Sequence, residues 1–143
     1  QHLGFGREAI KAGLASFQGV KRRQQVRGVV NGITVIDDFA HHPTAVRETV
    51  TALKTAWPER RLIIVFEPRT NSSRRAVFQE RYAEAFDRAD LIVVREHIPL
   101  DGIPTDEQFS SEKLVHDLHG HGKIAYYFQD TDGILEFLGG AVR

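Results

Sequence analysis

The stretch Leu62-Ile63-Ile64-Val65-Phe66 (LIIVF) is apolar at every position, and the residues after it, Glu67-Pro68-Arg69-Thr70-Asn71-Ser72-Ser73-Arg74-Arg75, turn abruptly polar and charged. A strand with one wet face alternates apolar and polar residues; an unbroken run suits a strand covered on both faces. A second such run is Leu91-Ile92-Val93-Val94, and the segment from Ile124 to Phe128 is a third strand candidate. Helical spacing appears around them: Val46, Val50, Leu53 and Trp57, stopped by Pro58; Phe78, Tyr82, Ala85 and Phe86; Leu114, Val115 and Leu118; and Ile134, Leu135, Leu138 and Val142. Strands and helices alternate, which predicts an α/β domain of three layers, a mostly parallel sheet with helices on both faces.

Upstream the pattern changes. Val26-Arg27-Gly28-Val29-Val30 and Ile33-Thr34-Val35-Ile36 flank Asn31-Gly32. Asn-Gly between β-branched runs predicts an N-terminal β-hairpin, because both turn residues must accept positive φ. Ile10, Gly13, Leu14 and Phe17 mark a preceding helix, with Gly19 as its stop. The chain carries no internal repeat and no low-complexity segment.

Composition narrows the function classes. The 143 residues suffice for one domain with a sizeable core. Lys plus Arg equal Asp plus Glu at 19 each, so the net field favours neither nucleic acid nor an anionic membrane. Cysteine is absent, which excludes disulfides, thiolate metal sites and cysteine nucleophiles. No apolar run approaches the roughly 20 residues that span a bilayer. The first residues lack a secretory pattern, so a cytoplasmic location is expected and the Asn71-Ser72-Ser73 acceptor pattern carries no meaning. The start, without methionine and just ahead of a helix, suggests a piece of a longer chain.

Two segments are loaded with chemistry. Asp37-Asp38-Phe39-Ala40-His41-His42-Pro43-Thr44 (DDFAHHPT) joins a strand to a helix. Thr44 or an aspartate could cap that helix, with Pro43 in its first turn. Two histidines and two carboxylates could also ligate a metal, although adjacent histidines rarely aim at one point. Neither reading uses the whole cluster, which leaves a ligand site open. The second segment is the loop 67–75, where Arg69, Arg74 and Arg75 offer guanidinium forks for carboxylates or phosphates and the following helix would add N–H donors. It could equally be a solvated loop. Parallel sheets bind ligands beyond their carboxyl ends, where both segments are expected. Lys21-Arg22-Arg23 is ambiguous in the same way. His116, His119 and His121 read as a solvated helix face and end. Gly4-Phe5-Gly6-Arg7-Glu8-Ala9 fits the dinucleotide fingerprint but lacks the strand that must precede it, and no phosphate loop of the G-x-x-x-x-G-K-[ST] type occurs.

FQGVKRR (17–23), VIDDFAHHPT (35–44) and IIVFEPRTNSSR (63–74) together resemble the C-terminal domain of the Mur ligases, ATP-dependent amide-bond ligases of the bacterial cell wall. The resemblance covers essentially the whole chain. It implies a Rossmann-like domain over 19–143, with 1–18 as the helical end of the central ATPase domain. The phosphate loop and the Mg2+ ligands would then lie upstream, and no metal ligand is assigned to this chain. The isolated chain is expected to be inactive. In the family reaction ATP phosphorylates the muramyl carboxylate, an amine attacks the acyl phosphate, and phosphate leaves through a tetrahedral intermediate. Arg23 matches the family arginine that reaches the γ-phosphate, Asp38 the aspartate beside it, Phe39 an aromatic near adenine, and His41 a histidine near the nucleotide. These imply catalytic roles for Arg23, Asp38 and His41 and nucleotide contact for all four. Arg69, Asn71 and Ser72 stand in the substrate motif; Arg74 and Arg75 join them on charge alone.

The wording departs from the alanine-adding members, which read D-D-Y-G-H-H-P-T-E and Q-P-H-R-Y-T-R. It is nearer the members that join the tripeptide L-Ala-γ-D-Glu-meso-diaminopimelate to UDP-N-acetylmuramate in cell-wall recycling. Those two substrates and the N-terminal and central domains of the same chain are the implied partners. An alanine-adding domain and a stand-alone ligand-binding module are the alternatives; a phosphate loop encoded upstream of Gln1 separates the latter from a ligase.

Overall fold

The computed structural model describes residues 4–142 and shows two compact units, 1–39 and 40–143. The outermost ends of the expected ranges, 1–3 and 143, lie outside the described residues.

The first unit holds helix α1 (Arg7–Ala15) and the hairpin β1 (Gln25–Val30) and β2 (Ile33–Asp37). α1 buries none of its residues. The strands pair antiparallel from Val30↔Ile33 to Gln25↔Asp37, with a bulge between Val26 and Gly28. Asn31 and Gly32 take φ of 50° and 79°, the positive values their identities predict. The hairpin forms a sheet of its own. Asp37-Asp38-Phe39 therefore leave a two-stranded ribbon, not the parallel sheet that the alternation of strands and helices predicts.

The second unit is the α/β body. It runs α2 (Pro43–Ala56), β3 (Ile63–Phe66), α3 (Gln79–Ala85), β4 (Leu91–Arg95), α4 (Ser111–Gly120), β5 (Ala125–Phe128) and α5 (Thr131–Ala141). The sheet order is β3-β4-β5, all parallel, with Val65↔Val93 and Val93↔Tyr126 in register. Strand side chains alternate between faces. Phe66, Ile92, Val94 and Ala125 join Val46 and Val50 of α2, Tyr82 and Phe86 of α3, and Leu114 and Leu118 of α4 in one buried cluster. On the other face Phe137 of α5 meets the rings of Tyr126 and Phe128 at 4.7 and 5.3 Å. Helices thus cover both faces, and all of β4 except its last residue is buried, as its unbroken apolar run requires.

Local chemistry fixes the joints. Asp90 accepts hydrogen bonds from the Leu62 N–H and from Lys54, both at 2.7 Å, tying α2 and the entry of β3 to the entry of β4. Partial burial pushes the Asp90 carboxyl upward, but the Leu62 N–H and the charges of Lys54 and Arg61 outweigh it, and the net shift is downward. The buried Gln79 side chain accepts from the Ser110 N–H at 2.8 Å and donates to the Ser110 carbonyl at 3.0 Å, joining the starts of α3 and α4. Arg61 donates to the Ala141 carbonyl at 2.9 Å, which fixes the end of α5.

Candidate functional site

In the first unit the chain reaches the hairpin through a tight turn. Arg22 and Gln24 adopt φ of 57° and 46°, a left-handed conformation that costs a non-glycine residue about 1–3 kcal/mol. The turn is held by its partners across the ribbon. The Phe39 N–H donates to the Arg22 carbonyl at 2.8 Å, and the Gln24 N–H donates to Asp38 Oδ2 at 2.8 Å. Arg22 Nε lies 3.7 Å from Asp37 Oδ1. The guanidinium carbons of Arg22 and Arg23 stand 5.0 and 5.6 Å from the centroid of the Phe39 ring, within cation–π range. Arg23, Asp38 and Phe39 are thereby brought to one end of the ribbon. Phe39 is 38% exposed.

The rest of DDFAHHPT belongs to the second unit. His42 is the N-cap of α2, and its Nδ1 accepts the Thr44 N–H at 3.3 Å. The cap is neither Thr44 nor an aspartate, the candidates that residue preferences put first. The His42 ring also meets Phe78 edge-on at 4.7 Å. The His41 carbonyl accepts the hydroxyl of Tyr82, whose ring is fully buried. Burial pushes the Tyr82 phenol well above its ordinary value. Among the described residues no three histidine, aspartate or glutamate side chains gather as a metal would need. Within the C-terminal histidine group, His119 Nε2 lies 2.9 Å from the Ala125 carbonyl, a link between α4 and β5.

The loop 67–75 follows β3 at the carboxyl edge of the parallel sheet. Its turn is built from hydroxyls. The buried Ser73 donates through Oγ to the Thr70 carbonyl at 3.1 Å and accepts the Thr70 N–H at 3.0 Å. Ser72 Oγ shares a 3.2 Å hydrogen bond with Thr70 Oγ1. Arg74 is already committed: it donates to the Ile98 carbonyl and to Asn71 Oδ1, each at 3.0 Å. Asn71 and Ser72 are therefore arranged first as supports of the loop. Arg69 and Arg75 are exposed. A 3-10 turn, Ala76–Phe78, separates the loop from α3, which begins at Gln79. The N–H donors expected from an immediately following helix are displaced by that turn.

The same edge carries residues that sequence reasoning missed. Arg95 Nη1 bonds Glu67 Oε1 at 2.5 Å, and Arg69 Nε lies 3.6 Å from Glu67 Oε2. Tyr127 donates to Glu96 Oε2 at 2.5 Å, and the His97 N–H donates to Glu96 Oε1 at 2.9 Å. His97 Nδ1 sits 2.7 Å from that same oxygen but outside hydrogen-bond geometry. The bond to Glu96, with burial, pushes the Tyr127 phenol up to about 12. The available signal was Arg95-Glu96-His97 set directly after an apolar run; its meaning needs the strand register.

The fold of this chain recurs within part of two solved ligases. The fold matches 96% of this chain to 28% of a murein peptide ligase from Psychrobacter arcticus, with a TM-score of 0.69 and 28% identity. It matches 90% of this chain to 26% of a UDP-N-acetylmuramate-alanine ligase from Thermotoga maritima, with a TM-score of 0.70 and 25% identity. Sequence defines the family: residues 22–142 match the Mur ligase, glutamate ligase domain, and the chain belongs to the Mur ligase family as its C-terminal domain. A UDP-N-acetylmuramate–L-alanine ligase of Geobacter sulfurreducens is 42% identical over 130 residues, 90% of this chain and 28% of that protein. The chain thus spans just over a quarter of that relative's length.

Proposed function

We propose that this domain presents the amine substrate to an ATP-dependent ligase that joins L-Ala-γ-D-Glu-meso-diaminopimelate to UDP-N-acetylmuramate in the cytoplasm. The observation that carries the reading is the loop 67–75, which keeps Arg69 and Arg75 exposed on a hydroxyl-built turn at the carboxyl edge of the sheet. Guanidinium forks donate pairs of parallel hydrogen bonds to carboxylates, and the tripeptide carries several carboxylates where alanine carries one.

The ribbon supplies the second half of the account. An exposed ring at Phe39 flanked by cations suits a purine and its phosphates, and Asp38 is held beside them by the Gln24 N–H. Bound ATP would supply the phosphoryl group that activates the muramyl carboxylate, and Mg2+ would offset the charge on its phosphates. Arg23 places a permanent positive charge toward the transferring oxygens, where charge must be compensated without reorganisation. Asp38 orients the turn that carries Arg23. His41, whose carbonyl accepts the Tyr82 hydroxyl, is the fourth nucleotide contact that the family motif implies. Magnesium ligands, the phosphate loop and the sugar site belong to the upstream domains of the same protein, so the domain alone does not turn over.

An alanine-adding activity is the second reading, favoured by the 42% identity to an L-alanine ligase. A ligation assay of the full-length protein decides between them. With ATP, UDP-N-acetylmuramate and equal concentrations of alanine and tripeptide, the tripeptide adduct should dominate. A dominant alanine adduct would refute the substrate assignment, and ligation of neither would refute the ligase.

A further inference from the structure

We infer that Arg95 is a positioning residue that keeps Arg69 available for a substrate carboxylate by holding Glu67 away from it. The inference rests on the reading that Arg69 binds the acidic amine. Parallel register places the two partners side by side: Phe66 pairs with Val94, so the next residues on each strand, Glu67 and Arg95, are neighbours. Glu67 has one carboxylate and two arginines. Its Oε1 takes a 2.5 Å bond from Arg95, a short charge-assisted contact, whereas Arg69 stands 3.6 Å from Oε2, beyond hydrogen-bond range. The division follows burial. The Arg95 side chain is 26% exposed and that of Arg69 is 69% exposed. The Arg95 Nε is buried without a partner, so this guanidinium depends on Glu67 for its compensation. Its strand is anchored by Ser111 Oγ, which donates to the Arg95 carbonyl at 2.9 Å.

Without Arg95, Arg69 is the cation left within reach of the carboxylate among the described residues. Glu67 then closes on Arg69, cancels its charge and occupies part of its fork. The loss would appear in capture of the acidic substrate, not in phosphoryl transfer. Removing Glu67 as well releases Arg69 again.

Steady-state kinetics of the full-length enzyme tests this. Arg95→Met should raise the KM for tripeptide about tenfold, the effect of losing one charge-assisted bond, with kcat and the KM for ATP little changed. Glu67→Gln should lower the tripeptide KM, and Arg95→Met with Glu67→Gln should match Glu67→Gln alone. Arg95→Lys should retain most of the wild-type KM. A double variant as impaired as Arg95→Met would overturn the inference by making Arg95 merely structural, as would an unchanged KM in Arg95→Met. Should Arg95→Met fail to fold, a Glu67→Gln variant with a raised KM overturns it independently. Arg69→Ala is the control for the underlying reading: if it leaves the tripeptide KM unchanged, that reading fails, whatever Arg95 does.

Discussion

Replacing Tyr82 with phenylalanine isolates the bond that ties the His41 segment to α3. The ring is fully buried and packs against Phe66 at 5.1 Å and Phe109 at 5.5 Å between centroids, contacts that phenylalanine keeps. Only the hydroxyl is lost, and with it the hydrogen bond to the His41 carbonyl. Such a bond contributes a net of about 0.5–1.5 kcal/mol, and a carbonyl left dry raises the cost toward about 2 kcal/mol. With a urea slope of about 2 kcal/mol/M, the midpoint should fall by about 0.5 M. The single tryptophan, Trp57 at the end of α2, reports the transition by fluorescence. Tyr82→Ala should cost about 3 kcal/mol or more, since it also opens a cavity. The local signature is faster amide exchange at Val46, whose N–H bonds the His42 carbonyl at 2.9 Å, with β4 exchanging at a rate set by global stability. A midpoint equal to wild type, or a loss as large as that of Tyr82→Ala, would refute the assignment of the hydroxyl.

Asp90 has a lowered pKa, so its contribution is present above the ordinary aspartate value near about 4 and is lost as pH falls through the depressed one. Asp90→Asn should flatten the acid arm of stability measured by urea midpoints from neutral pH downward. The bond to Glu96 pushes the Tyr127 phenol up to about 12, so its stabilisation holds below the free tyrosine value and disappears as pH rises from there to about 12. Tyr127→Phe should remove a phenolate absorbance step at about 12 and blunt the alkaline loss of stability. Arg23→Ala in the full-length enzyme should slow acyl-phosphate formation, followed by trapping or isotope exchange, with little effect on the tripeptide KM.

What could be read from the sequence was local. Asn31-Gly32 declared its turn because few residues accept positive φ, and the apolar runs of β3 and β4 declared their burial. Arg22 and Gln24 gave no such sign, because long-range bonds from Phe39 and to Asp38 hold their backbone. The cap of α2 departs from residue preference for a related reason. His42 is an uncommon N-cap, and its choice is fixed partly by packing on Phe78, far along the chain. Arg74 read as a free fork, but the Ile98 carbonyl and Asn71 claim it in the fold. The pairing of Glu67 with Arg95 depends on strand register, which composition and periodicity leave open. The hairpin's independence from the parallel sheet is likewise a matter of pairing partners.

The central claim is that Arg69 reads a carboxylate of the incoming amine. Its sharpest test compares tripeptide with a tripeptide whose diaminopimelate carboxylates are amidated, using wild-type full-length enzyme and Arg69→Ala. Amidation should raise the KM by about tenfold or more in the wild type, the value of one charged hydrogen bond, and should change it little in the variant. An equal rise in both enzymes would show that the carboxylate is recognised elsewhere.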